Sequence, residues 1–141
     1  MAELVICGSA GLSGAILTTL FGGWNSAMTT LVIFMGIDYL TGLICAVVFK
    51  KSKKSETGGL ESGAAWKGLC KKCVTLLLVL MAYRLDLEAK TTYIKDAVCI
   101  SFIISEAISI LENAVLMGMI VPKPLRDALD FLKNKDSKNG N

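Results

Sequence analysis

The chain has 141 residues, enough for one domain, and 53% of them are apolar. The mean hydropathy of +0.58 is high for a water-soluble globule of this size. The net charge is only +3, there is no histidine, and the five cysteines (Cys7, Cys45, Cys70, Cys73, Cys99) are odd in number, which argues against a disulfide framework.

Apolar residues fall in blocks. The first, Leu4 to Trp24, is uncharged and about 21 residues long, so it can cross a hydrocarbon core of ~30 Å, but Gly8, Ser9, Gly11, Ser13 and Gly14 dilute it. Such small residues permit close helix packing in lipid, or they make a loosely inserted helix. The segment lacks the basic start and small-residue cleavage site of a secretory signal and carries Glu3 instead. Gly22 to Ser26 predicts a tight turn with Trp24 at the interface.

The second block, Ala27 to Phe49, has Asp38 as its single ionisable acid. A centred Asp costs ~2.5–3.5 kcal/mol, while eleven Leu, Ile, Val and Phe residues between Leu31 and Phe49 return ~3–6 kcal/mol, so the span inserts with its acid facing protein or water.

Lys50 to Gly68 reads as a polar cytosolic loop. With the start of the third span it holds Lys50, Lys51, Lys53, Lys54, Lys67, Lys71 and Lys72, a topology signal and a surface for anionic lipid. The cluster lacks the basic helix or aromatic interleaving of a nucleic-acid site. The third span is Leu69 to Leu87, with Lys71 and Lys72 expected to snorkel at one end and Arg84 and Asp86 at the other, reaching the interface or pairing with another helix. Cys70 and Cys73 have the spacing of a redox or zinc motif, but neither a thioredoxin-like frame nor further ligands accompany them, so they read as thiols on consecutive helical turns. Glu88 to Asp96 is a short external turn.

The fourth span, Ala97 to Val121, carries Ser101, Ser105, Glu106, Ser109, Glu112 and Asn113 on one arc of roughly 140° at 100° per residue. Two acids cost ~5–7 kcal/mol and twelve Ile, Leu, Val and Phe residues return ~4–7 kcal/mol, so insertion is marginal without a protein or water surface for the stripe. Either the acids and Asn113 lock the bundle by interhelical hydrogen bonds, or the stripe first seals helix against helix and later lines a water-filled lesion. Pro122 and Pro124 end the span. Leu125, Ala128, Leu129 and Leu132 then make a short surface-lying amphipathic helix, followed by a basic tail expected to be disordered.

The reading is an all-α membrane bundle of four transmembrane helices (4–24, 27–49, 69–87 and 97–121; three if the first fails to insert). A membrane domain, 1–121, precedes a cytosolic helix and tail, 122–141. No phosphate-cradling loop, nucleophile elbow or acid–base pair appears, so no enzyme, cofactor or metal is expected.

Several short motifs occur in order: Gly22-Gly23-Trp24, Asp38-Tyr39-Leu40-Thr41-Gly42, Gly68-Leu69-Cys70-Lys71-Lys72 with Asp86, Glu106-Ala107-Ile108-Ser109-Ile110-Leu111-Glu112-Asn113, Gly118, and Pro122-Lys123-Pro124-Leu125. From Gly22 to about Lys133 the chain thereby resembles the toxin-secretion and phage-lysis holins of phages of Gram-positive bacteria and of clostridia. The resemblance implies a multi-pass protein of the host cytoplasmic membrane that self-assembles into non-selective lesions. Through them an endolysin or a toxin passes as cargo. Membrane lipid, further copies and an antiholin are the implied partners, and nucleic acid is not. The rival readings are an antiholin or other regulatory membrane protein, and a small ion channel.

Overall fold

A computed structural model describes residues 1–139. It has five helices: α1 (Ala2–Leu20), α2 (Ser26–Val47), α3 (Ser62–Ala89), α4 (Ile94–Leu116) and α5 (Lys123–Asn139). Among the described residues there is no strand, and the expected all-α architecture holds. α1, α2 and α4 are each long and apolar enough to cross a membrane. α3 is longer than any of them, but Lys67, Lys71, Lys72, Arg84, Asp86 and Glu88 keep it out of that group. It nevertheless packs along α4, so it traverses the same depth of the bundle.

Glycine and asparagine set the first turn. Gly22 and Gly23 take φ of 71° and 96°, a left-handed region that favours glycine. At Gly22 a Cβ would also stand 2.1 Å from the Tyr83 ring. The Asn25 side chain then caps α2 by accepting the Met28 N–H at 3.0 Å. α2 and α4 form the main packed pair, with α3 laid against α4. Their core joins Phe21, Met28, Leu31 and Met35 to Val79, Cys99 and Ile103. α1 buries no residue and stands apart from the other helices.

Element ends differ from expectation in ways the backbone explains. α3 begins at Ser62, not Leu69, because Ala64 and Ala65 are strong helix formers and Ala65 N–H already closes the first turn on the Glu61 carbonyl at 3.0 Å. α4 stops at Leu116 rather than Val121, where Gly118 (φ 84°) lets the Gly118 and Met119 amides fold back onto Val115 and Ala114. α5 folds back along α4, with Ser101 donating to Asp136 at 3.0 Å. Only Leu129 of its apolar stripe is buried, and Phe131 is 67% exposed. The tail is helical as far as Asn139; Gly140 and Asn141 lie outside the described residues.

The end carrying both short turns is fastened by polar groups. Asp86, placed at an interface or a helix contact by the sequence, is only 4% exposed. It accepts from Thr91 Oγ1 (2.6 Å), Ile94 N (3.0 Å) and Lys95 N (2.8 Å), and so caps α4. Arg84 is exposed. Lys95 is buried, and its ammonium donates to the carbonyls of Phe21 and Gly23, with the Tyr83 ring centre 5.6 Å away. The positive charge thus meets the carbonyl end of α1. Asn25 adds a bond to Asp96 at 2.8 Å.

Replacing Lys95 with Met should remove this clasp and cost ~1–3 kcal/mol, read as a lower melting temperature in detergent. With the other four cysteines replaced by alanine, an α1 that crosses the membrane should leave Cys7 resistant to a membrane-impermeant maleimide from both sides of a vesicle, and an α1 that does not insert should leave it reactive.

Candidate functional site: a charge cluster where α2, α3 and α4 meet

Asp38 lies twelve residues past Ser26 on α2, ~18 Å along its axis, and is 4% exposed. A carboxylate there needs a counter-charge. α3 supplies it: Lys72 Nζ donates to Asp38 Oδ2 at 2.8 Å and to Glu106 Oε2 of α4 at 2.6 Å. One ammonium therefore bridges acids on two other helices. Asn113, also buried, donates to Asp38 Oδ1 at 3.3 Å and to Thr41 Oγ1 at 3.1 Å. From the α2–α3 loop, Lys54 approaches Asp38 Oδ2 at 3.5 Å and Ser109 Oγ at 3.5 Å. Two carboxylates and two ammonium groups make a neutral set. Among the described residues no buried side-chain nitrogen or oxygen lacks a partner.

The polar arc of α4 is thereby divided. Counting 100° per residue from Ser101, Glu112 and Ser105 fall at 20° and 40°, while Ser109, Asn113 and Glu106 fall at 80°, 120° and 140°. Ser101, Ser105 and Glu112 are exposed; Ser109 and Glu106 are half-buried and Asn113 is buried. The inner half binds α2, α3 and the loop; in the outer half Ser105 borders the space between them, while Ser101 and Glu112 lie outside it.

The lysines divide as well. Lys50, Lys51, Lys53, Lys67 and Lys71 are exposed. Lys72 does not snorkel: its side chain is 13% exposed and its ammonium turns inward. Two carboxylates hold it more strongly than the interface does, and they come from residues 34 positions away on either side in the chain. Asp38 alone, as an acid needing a partner, was the available signal for this pairing. Nothing local marked Lys95 or Asp86 as buried. Cys70 and Cys73 lie on α3 as exposed free thiols, and Cys45 and Cys99 are buried and free.

Beside the cluster is a cavity of about 560 Å³, walled by Asp38, Gly42, Lys54, Lys72, Glu106 and Ser109 among others. Such a space can hold water or small polar groups near the ion pairs.

Truncating Lys72 to Ala leaves Asp38 and Glu106 facing each other without their shared cation and should cost ~3–5 kcal/mol in unfolding measured in mixed micelles. The triple variant Asp38→Asn, Lys72→Met, Glu106→Gln removes all three charges together and should recover most of that loss.

Comparison with known proteins gives a consistent family. A profile described as the bacteriophage holin family matches residues 15–134. An uncharacterised protein of Clostridium perfringens is 35% identical over 141 aligned positions, covering 97% of this chain and 98% of that protein. Uncharacterised proteins of Halalkalibacterium halodurans (32%; 96% and 99% covered) and Listeria monocytogenes (37%; 90% and 84% covered) are similar over nearly the same extent. No solved structure matches. A helical chain with three helices fit to cross a membrane and a family match over most of its length is a membrane protein, and it belongs to the bacteriophage holin family.

Proposed function

We propose that this protein is a holin: it accumulates in the bacterial cytoplasmic membrane, oligomerises, and opens non-selective lesions through which an endolysin or a toxin passes. The observation that carries this reading is the divided arc of α4. Its inner half (Glu106, Ser109, Asn113) is satisfied within one chain by Lys72, Lys54 and Asp38. Its outer half (Ser101, Ser105, Glu112) is exposed on a helix apolar enough to span. Carboxylates and hydroxyls facing hydrocarbon are unfavourable, so this half calls for another copy or for water. Packing outer half against outer half gives a closed, harmless oligomer, and turning these halves toward a common lumen lines a lesion. No step in this activity is enzymatic.

The proposed topology has both termini and the lysine loop in the cytosol, with four crossings. α1, α2 and α4 cross by their own apolarity, and α3 crosses because its inward charges are matched within the bundle. Residues 1–121 then form the membrane domain, and 122–141 the cytosolic helix and tail. α5 bears Arg126, Asp127, Asp130, Lys133, Lys135 and Asp136, which hydrocarbon does not accommodate, so its docking on α4 and lipid contact on that face are alternatives. Binding of α5 along α4 would delay assembly, and release onto the headgroup surface would free the outer half.

Induced expression of the single gene should collapse membrane potential abruptly and release a folded cytosolic reporter enzyme. The Glu112→Leu variant, which keeps the Lys72 bridge, should insert at least as well and fail to permeabilise. Undiminished killing by that variant would refute the role given to the arc. A wild type that leaves the potential intact would identify an antiholin, and a graded, ion-selective conductance would identify a channel.

A further inference from the structure

Two cavities adjoin at the loop end of the α2–α3 seam, and they differ in chemistry. The first is the chamber beside the charge cluster, of about 560 Å³; its walls include Lys53, Lys54, Lys67, Lys71 and Lys72 against Asp38, Glu61 and Glu106. Five lysines thus border it against three acids. Lys72 and Lys54 are committed to Asp38 and Glu106, and the Glu61 carboxylate accepts from the Thr57 amide and hydroxyl at 3.2 and 2.9 Å. Among the described residues Lys53, Lys67 and Lys71 enter no ion pair, so their charge is available to a ligand.

The second cavity, of about 550 Å³, is a groove between α2 and α3 walled by Leu43, Leu60, Ala65, Trp66 and Leu69 with Tyr39 and Ser62. Tyr39, Leu43, Leu60 and Ala65 line both spaces, so the cationic chamber is continuous with the apolar groove. α2 and α3 touch sparsely here, and the Tyr39 hydroxyl reaches the Ala65 carbonyl only at 3.5 Å. The chamber's volume lies within the ~300–1,000 Å³ of ordinary ligand sites, and the groove beside it is shallow and open.

A ligand complementary to this pair has an anionic head and an apolar tail. We propose that the seam binds one anionic phospholipid, its phosphate among Lys53, Lys67 and Lys71 and an acyl chain in the groove against Leu43 and Trp66. The groove runs from Tyr39, beside Asp38 at mid-helix, past Leu43 toward the C-terminal end of α2, the end that the proposed topology places near the cytosolic headgroups. The inference rests on that orientation and not on lesion formation. A lipid wedged between α2 and α3 at this point would bear on how firmly Lys72 is held against Asp38.

The test uses the full chain carrying Trp24→Phe, which leaves Trp66 as the single tryptophan. It is reconstituted in phosphatidylcholine vesicles containing a small fraction of lipid with brominated acyl chains, which quench tryptophan on contact. At equal mole fraction, brominated phosphatidylglycerol should quench Trp66 with a relative association constant at least about tenfold above that of brominated phosphatidylcholine. Lys53→Gln, Lys67→Gln and Lys71→Gln together should abolish that preference, since each lysine near an anionic lipid is worth about fivefold. Ala65→Phe, filling the groove with every charge kept, should abolish it too. Lys133→Gln, Lys135→Gln and Lys138→Gln on α5 should leave it intact.

Equal quenching by the two lipids would overturn the proposal. So would a preference that survives the three loop-end substitutions, or one lost equally with the three on α5, which would mark diffuse attraction. Displacement of the brominated lipid by millimolar glycerol phosphate would mean a soluble phosphate site and would likewise overturn it. Because quenching is read in intact vesicles, these outcomes are independent of whether the chain permeabilises a cell.

Discussion

A carboxylate buried in the middle of a helix bundle has to be matched there, and the junction of α2, α3 and α4 is organised around that demand. Asp38 is 4% exposed, and Lys72 answers it at 2.8 Å while also holding Glu106. A lysine has a single ammonium and three donors, so bridging two acids uses most of its capacity and fixes three helices with one side chain. Such an arrangement adds little net stability over apolar packing, but losing any one member leaves an uncompensated charge. It therefore specifies which helices meet more than it strengthens their meeting.

The same bundle is apolar outside and holds charged and polar groups inside beside its apolar core. Leu77, Met81, Ile33, Leu40 and Ile44 are exposed, while Asp38, Asp86, Lys95 and Asn113 are buried. In water this distribution would favour aggregation; in lipid it is the expected one, because the exterior is solvated by hydrocarbon and every interior polar group needs a partner within the chain. The two ends solve that requirement differently. At the short turns, Asp86 caps α4 and Lys95 closes the carbonyl end of α1. At the loop end, lysines from the α2–α3 loop and from α3 reach inward to acids. The first arrangement uses backbone groups fixed by helix geometry. The second pairs side chain with side chain.

That contrast bears on the proposed activity. A lesion requires polar surface that is hidden in one state and wet in another, with a modest free-energy difference between them. The inner half of the α4 arc is already neutralised within one chain, so its solvation can change without creating a bare charge. Among the described residues the outer half makes one side-chain bond to another helix, from Ser101 to Asp136 of α5. Exchange of α5, lipid or a second copy on that face alters its surroundings while the core of Met28, Leu31, Val79 and Cys99 stays intact.

The apolar blocks, the Gly22–Gly23 turn and the 3.6-residue periodicity of Ser105, Glu106, Ser109, Glu112 and Asn113 were legible in the sequence because they depend on neighbours within a few turns. They determined that the chain is an all-α membrane protein, and that Asp38 and the α4 stripe are its unusual features. The tertiary structure decided which polar groups meet. Lys72 reads locally as a snorkelling interfacial residue, and only the approach of α2 and α4 turns it into a bridge. Lys95 and Asp86 read as turn and interface residues until two hairpins are brought side by side. The return of α5 along α4 likewise depends on a contact between residues 35 positions apart. The division follows from electrostatics: whether a residue is polar is a property of its own side chain, but the partner that makes its burial tolerable is chosen by the packing of distant segments.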